Sequence, residues 1–357
     1  MPALPDDFDR KQGISRCWER GARGAGITIG VIDTSLDPTH PELEGWVESC
    51  LEFVEREPAV PAGPDTHGTS IARNIRLVAP EARIVGLSIF PASNTALRYN
   101  AHVRDAAARA VRESIARYPA MRVINMSFAI PRGRLWGCRP GARCALCRAV
   151  NDARDAGIAP VAAAGNTGPH ANSIECPGIA EKAITVGAVL GSKDREAFAS
   201  TTPAERTDRY GTSYSTAYFS GGAALLMSAA PKASVDEVEE AFARVTSRMA
   251  DGSPARANFA NALDWLIGPD QGLAEMMIER LHWIAGNRDA QRPDNQYVVE
   301  ALDIALLFIE RGLIRRGEVE RANAMAERLD ATIEPDCLPA YHARLMDLQR
   351  RMNIRPI

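Results

Sequence analysis

The chain has no run of about 18 consecutive apolar residues, so no membrane-spanning helix is expected. Its opening segment, MPALPDDFDRKQGISRCWER, has no apolar stretch. No secretory leader is therefore expected, and the expected location is the cytoplasm. Neither sign of charge dominates. The 42 Lys and Arg against 45 Asp and Glu leave a net charge of −3, which points to neither nucleic acid nor a membrane surface as a partner. Cysteine is sparse and odd in number, with seven residues: Cys17, Cys50, Cys138, Cys144, Cys147, Cys176 and Cys337. Without a leader, that count argues against a secreted disulfide framework and for thiols that are mostly reduced and partly buried.

What is present is an ordinary globular composition, 46% apolar and 24% charged, over 357 residues, a length that suggests one large and one smaller domain. Residues 27–33, ITIGVID, form a continuous apolar run ending on an acid, as in a buried parallel strand with a polar residue at its C-terminal end. Similar runs follow at 83–89, 121–127, 158–164 and 183–189. Helical periodicity alternates with them. Residues 101–118 bring Val103, Ala107, Ala110, Val111, Ser114 and Ile115 to one face, and 144–156 form a second helix. The alternation predicts an α/β fold, a mostly parallel sheet with helices on both faces. Further helices are expected over 214–229, 234–247 and 255–267. After GPDQG at 268–272 the pattern becomes all-helical, with helices expected near 273–285, 296–312, 316–330 and 337–352. The expected organisation is a lead segment 1–25, a main domain 26–267 and an all-α C-terminal domain 273–357 that offers itself to a protein partner.

Four short stretches carry the chemistry. GITIGVIDTSLD holds Asp33, DTHGTSIA holds His67, VAAAGNTG holds Asn166 and YGTSYSTAYFSGGAALL holds Ser213. Taken singly, each has a bland explanation: a strand-end turn acid, a structural histidine, a turn asparagine and a helix cap. Taken together they supply the parts of one acyl transfer. A serine hydroxyl needs a base to accept its proton, the base needs a carboxylate to fix its tautomer, and the oxyanion needs an N–H donor. Gly221 and Gly222 in mid-helix cost about 1 kcal/mol each relative to Ala, which predicts close packing against another backbone.

These stretches, with HPEL, INMSFA and AITVGAV, resemble the subtilisin-like serine peptidases from about residue 20 to residue 267. The order Asp, His, Ser is that of subtilisin. The resemblance implies Asp33, His67 and Ser213 as a catalytic triad and Asn166 as oxyanion donor, with the Ser213 N–H beside it. It also implies Ser127, Phe128 and Ala129 with Ala163, Ala164 and Gly165 as S1 walls that pair with an extended protein or peptide substrate. The implied activity is that of a serine endopeptidase needing no cofactor for catalysis, and calcium is left open. A peptidase fold kept only as a peptide- or partner-binding module remains the rival. An α/β-hydrolase esterase is disfavoured because GTSYS is not G-x-S-x-G.

The chain departs from that family at several points. Ser35, Thr66, Ala129 and Ala217 replace residues common there, and Tyr218 and Phe219 add bulk. Ala129 suggests a narrowed S1 site and small P1 side chains. The segment 198–211 is short, and the usual strand and Ala-Pro-Gly turn before the nucleophile are expected to be missing. No pro-domain is expected before Asp33. Cys138, Cys144 and Cys147, spaced C-x5-C-x2-C, together with Cys176, fit a structural Zn²⁺, disulfides or unpaired thiols.

Overall fold

The computed structural model describes residues 12–55, 58–92, 96–130, 138, 144–167, 173–188, 199–200, 211–245, 247–248 and 254–267. The chain divides into two compact units, Met1–Ala260 and Asn261–Ile357. The expected helices beyond residue 273 lie outside the described residues.

The first unit begins with a short helix, α1 (Ile14–Glu19), and then alternates strands with helices. The strands are β1 (Thr28–Asp33), β2 (Val47–Glu52), β3 (Arg83–Ser88), β4 (Met121–Met126), β5 (Ala159–Ala163), β6 (Ile184–Ala188) and β7 (Ala199–Ser200). The helices among and after them are α2 (His67–Val78), α3 (Ala96–Arg117), α4 (Ala145–Asp155), α5 (Thr212–Ala229), α6 (Val235–Val245) and α7 (Phe259–Ile267). The sheet order is β2-β3-β1-β4-β5-β6-β7, and every pairing in it is parallel. The direction of strand addition reverses beside β1, so the crevice at its carboxyl end is the switch point where ligand sites form in such sheets. Asp33 is the last residue of β1.

Burial explains the strands that were legible. β1 and β5 are buried at every position, so they read as unbroken apolar runs. β2 alternates half-buried and exposed residues at the sheet edge and gives no such run. Ile32, Val85, Leu87, Ile124 and Met126 form one core with Val103, Ala107, Val111, Leu146 and Val150 of α3 and α4. On the other side α5 packs against β4, β5, β6 and α2. Its mid-helix glycines are crowded, Gly221 by the α2 backbone as expected (a Cβ there would come 3.0 Å from the Ile75 carbonyl oxygen) and Gly222 by a side chain instead. A Cβ on Gly221 would come 2.7 Å from Val78 Cβ, and one on Gly222 would come 2.6 Å from the Phe259 ring.

Two expectations are corrected. The helix expected over 255–267 starts only at Phe259, because Pro254–Arg256 (β9) pairs antiparallel with Ser247–Arg248 (β8). Pro254, which has no N–H and a fixed φ, suits the start of such an edge strand. The strand thought missing before Ser213 exists in reduced form. β7 pairs with β6 through Gly187↔Ala199 and Ala188↔Ser200. Two residues are too few for a periodicity argument to detect.

Candidate active site

Asp33 is fully buried at the end of β1, and its Oδ1 lies 2.7 Å from His67 Nδ1. The same Oδ1 accepts the Thr34 N–H at 2.7 Å, while Oδ2 is buried with no hydrogen-bond partner among the described residues. His67 opens α2 with its side chain 38% exposed and its Nδ1 edge on the carboxylate. Gly68 permits this. A Cβ there would fall 2.3 Å from the Thr34 carbonyl oxygen, and its N–H donates to Thr34 Oγ1 at 2.8 Å.

The hydroxyls around this pair form a clamp that the motifs did not reveal. Thr66 Oγ1 lies 2.8 Å from the Ser35 carbonyl, 2.9 Å from the Gly63 carbonyl and 2.8 Å from Thr69 Oγ1. Thr69 Oγ1 lies 2.8 Å from the same Gly63 carbonyl and accepts the Asp37 N–H at 2.8 Å. Each hydroxyl has one proton. Thr66 donating to the Ser35 carbonyl and Thr69 donating to Thr66 Oγ1 uses each proton once, and the Gly63 carbonyl also accepts the Thr66 N–H at 3.2 Å. Ser35 Oγ meets Ser88 Oγ at 2.9 Å. Two of the departures from the family pattern, Ser35 and Thr66, are thus joined, tying the loop after Asp33 to the start of the His67 helix.

Ser213 is the second residue of α5. Gly211 precedes the helix at φ 135°, a left-handed conformation that favours glycine. Ser213 Oγ donates to the Ser127 carbonyl at 2.7 Å, and Ser127 Oγ donates to the Ser213 carbonyl at 2.7 Å. Ser127 Oγ also accepts from Asn125 Nδ2 at 2.9 Å, and Asn125 Oδ1 accepts from Ser220 Oγ at 3.0 Å. A buried polar chain therefore fastens the start of α5 to the end of β4. The neighbouring Tyr214 ring meets the His67 ring edge-on, centroids 6.0 Å apart, which brings His67 alongside the first turn of α5.

Asn166 is exposed, and its Oδ1 accepts the Thr212 N–H at 3.0 Å and lies 3.2 Å from Thr212 Oγ1. With the amide oxygen held there, Nδ2 is the end left for a ligand, next to the first-turn N–H groups that a helix cannot satisfy internally. Thr212 is an anchor the motif reading passed over, although its place between Gly211 and Ser213 was a cue.

The remaining predicted residues separate by role. Ala163 and Ala164 are buried, and the Ala164 N–H is used by the Val186 carbonyl at 2.9 Å. Phe128 turns its ring into the core against Phe90, centroids 5.8 Å apart, so only its backbone can line a groove. Ser127 is buried and Ala129 half-buried. Gly165, at φ 102°, lies against Glu175: a Cβ there would fall 2.5 Å from Glu175 Oε2. Burial pushes the Glu175 carboxyl above its ordinary range, opposed by the Thr167 hydroxyl. Glu175 was not singled out in the sequence.

Cys138, Cys144, Cys147 and Cys176 converge, with all four Sγ atoms within 4.8 Å of one another. No disulfide joins them.

An aspartate–histidine pair at the switch point of a parallel α/β sheet, beside a helix that opens on a serine, defines a class of nucleophile-dependent hydrolases. A family model described as Peptidase_S8, Subtilase family, matches residues 24–209, just over half of the chain. The chain belongs to the subtilase family of serine peptidases. It is 29% identical to "Subtilisin DY" of Bacillus licheniformis over 257 residues, covering 65% of this chain and 88% of that protein. It is 32% identical to "Subtilisin BL" of Lederbergia lenta over 197 residues, covering 52% and 66%. The fold is also that of a MycP3 protease from the type VII (ESX-3) secretion system, with TM-score 0.57 and 24% identity, covering 74% of this chain and 90% of that one.

Proposed function

We propose that this subtilase is a serine endopeptidase in which Ser213 is the nucleophile, His67 the general base and Asp33 the group that orients it. The observation that carries the proposal is the 2.7 Å contact between His67 Nδ1 and the buried Asp33 carboxylate, on a ring that also meets Tyr214 next to Ser213. Rotation of Ser213 about χ1, between staggered wells, releases its hydroxyl from the Ser127 carbonyl. Its proton passes to His67 Nε2 as Oγ attacks the substrate carbonyl carbon. Asp33 holds the Nδ1–H tautomer and stabilises the imidazolium. The tetrahedral oxyanion takes hydrogen bonds from Asn166 Nδ2 and the Ser213 N–H. Its collapse expels the amine, which receives the proton from His67, and water then repeats the sequence on the acyl-enzyme.

The substrate is an extended peptide lying between residues 127–129 and 163–165. No residue in this scheme requires a metal or organic cofactor. The six free thiols among the described residues support a reducing compartment, the cytoplasm, as the place of action. The test is incubation of the full chain with an unfolded protein, with the new termini mapped by mass spectrometry. Internal cleavages that vanish in Ser213→Ala are expected. An intact substrate, bound but uncut, would instead favour the peptide-binding rival.

A further inference from the structure

We infer that Cys138, Cys144, Cys147 and Cys176 bind one Zn²⁺ as a closed tetrathiolate site. A tetrahedron with Zn–S near 2.3 Å has S···S edges of about 3.8 Å, whereas a disulfide requires about 2.05 Å. The measured separations are 3.6 Å for Cys138–Cys147, 3.7 Å for Cys144–Cys176 and 3.7 Å for Cys147–Cys176. The three are nearly equal and all four Sγ atoms lie within 4.8 Å of one another, so no pairing stands out from the cluster. Cys138, Cys147 and Cys176 are buried and Cys144 half-buried. Cys144 caps α4, its Sγ accepting the Cys147 N–H at 3.4 Å, a position that favours a thiolate. Four crowded thiols cannot all ionise against one another, and a divalent cation removes that conflict. Binding converts four thiols and Zn²⁺ into a tetrathiolate with release of four protons.

The site ties together three separate segments: the connection that carries Cys138, the start of α4 and the loop at Cys176. Cys176 also pairs with Ile130 (Ile130 N–H to the Cys176 carbonyl at 2.7 Å, and the return bond at 3.2 Å), just after residues 127–129. With four cysteines there is no open coordination position, so the metal braces the groove and takes no part in the reaction. The test is metal analysis of the full chain. One zinc per chain is expected, lost in Cys176→Ser and retained in Cys50→Ser, whose thiol lies outside the cluster. Should Cys176→Ser fail to fold, Co²⁺ exchanged into the wild type must give the charge-transfer and d–d bands of a tetrahedral tetrathiolate. Iron in place of zinc, disulfides in the intact mass, or four reactive thiols in metal-free folded protein would overturn the inference.

A second observation stands apart from the cysteines. Glu175 is only 7% exposed, its carboxylate lies against Gly165, and its N–H donates to the Ala164 carbonyl at 2.9 Å. Among the described residues its side chain has only the Thr167 hydroxyl, at 3.4 Å, and no cation. A buried carboxylate without a cation is costly, and an incoming guanidinium or ammonium would relieve that cost. Resting on the reading of residues 163–165 as an S1 wall, we infer that Glu175 forms the base of S1 and selects Arg or Lys at P1. The small-P1 expectation drawn from Ala129 is the competing outcome of the same peptide panel. With P1-varied peptides, on protein whose wild type labels with a fluorophosphonate, the Arg-to-Ala ratio of kcat/KM should fall at least tenfold in Glu175→Gln. An active enzyme whose P1 profile is the same in Glu175→Gln would overturn it. Loss of labelling in the wild type would instead sink the peptidase proposal beneath it.

Discussion

Ser213 and Ser127 hold each other reciprocally, each hydroxyl donating to the other's carbonyl oxygen at 2.7 Å. The hydroxyl of the proposed nucleophile is therefore held by the Ser127 carbonyl, and the two bonds tie the start of α5 to the segment after β4. Ser127→Ala removes one of the two bonds and leaves the Ser213 donor with its backbone acceptor. It also takes the acceptor from the buried Asn125 Nδ2, so stability should fall by about 1–3 kcal/mol, read as a shift in thermal midpoint, with turnover reduced far less than in Ser213→Ala. Ser213→Ala should lose turnover by about a million-fold, the magnitude for the same constellation in subtilisin, without unfolding, because Gly211 and Thr212 begin the helix.

Asp33→Asn keeps the size of the side chain but removes the charge opposite Nδ1. It should cost roughly 10⁴ in kcat through the wrong tautomer, as in other serine triads. Steady-state kinetics check this, and a loss below tenfold would separate Asp33 from the chemistry.

The two ends of Asn166 can be tested apart. Asn166→Asp retains an oxygen for the Thr212 N–H but lacks the donor that Nδ2 supplies. A fall of about 10² to 10³ in kcat with stability largely preserved is expected, the range known for the corresponding subtilisin asparagine. Equal losses of stability and activity would mean the residue is only an anchor.

Gly68 and Gly221 test the packing that places the site. Gly68→Ala would drive a methyl to 2.3 Å from the Thr34 carbonyl, which cannot move without disturbing Asp33. It should abolish activity and lower the thermal midpoint. Gly221→Ala gains about 1 kcal/mol of helix propensity but meets Val78 at 2.7 Å, so overpacking of about 1–3 kcal/mol should leave it less stable. A stabilised Gly221→Ala would show that α2 and α5 approach less closely than described.

The β-structure was legible where burial is two-sided. The runs ending at Asp33 and Ala163 are apolar throughout because helices cover both faces of their strands. β2 and the β8–β9 pair escaped notice because one is a polar edge and the other is two or three residues long. At the candidate site, the sequence singled out the residues with distinctive motif neighbours: Asp33, His67, Asn166 and Ser213. It marked Thr66 only as a departure from the family pattern, and Thr69, Thr212 and Glu175 not at all. Each acts through a contact with a residue distant in sequence, and hydroxyls and a lone acid give no local signature of that. The cysteine spacing showed that three thiols were near one another. The family resemblance already grouped Cys176 with them, and the fold puts its Sγ 3.7 Å from those of Cys144 and Cys147.

The most direct measurement is covalent labelling of the folded full chain with a fluorophosphonate, followed by peptide mapping. The account predicts a single adduct on Ser213 Oγ, absent in Ser213→Ala and strongly slowed in His67→Ala. Folded wild-type protein that takes no label, or takes it on another residue, would contradict it.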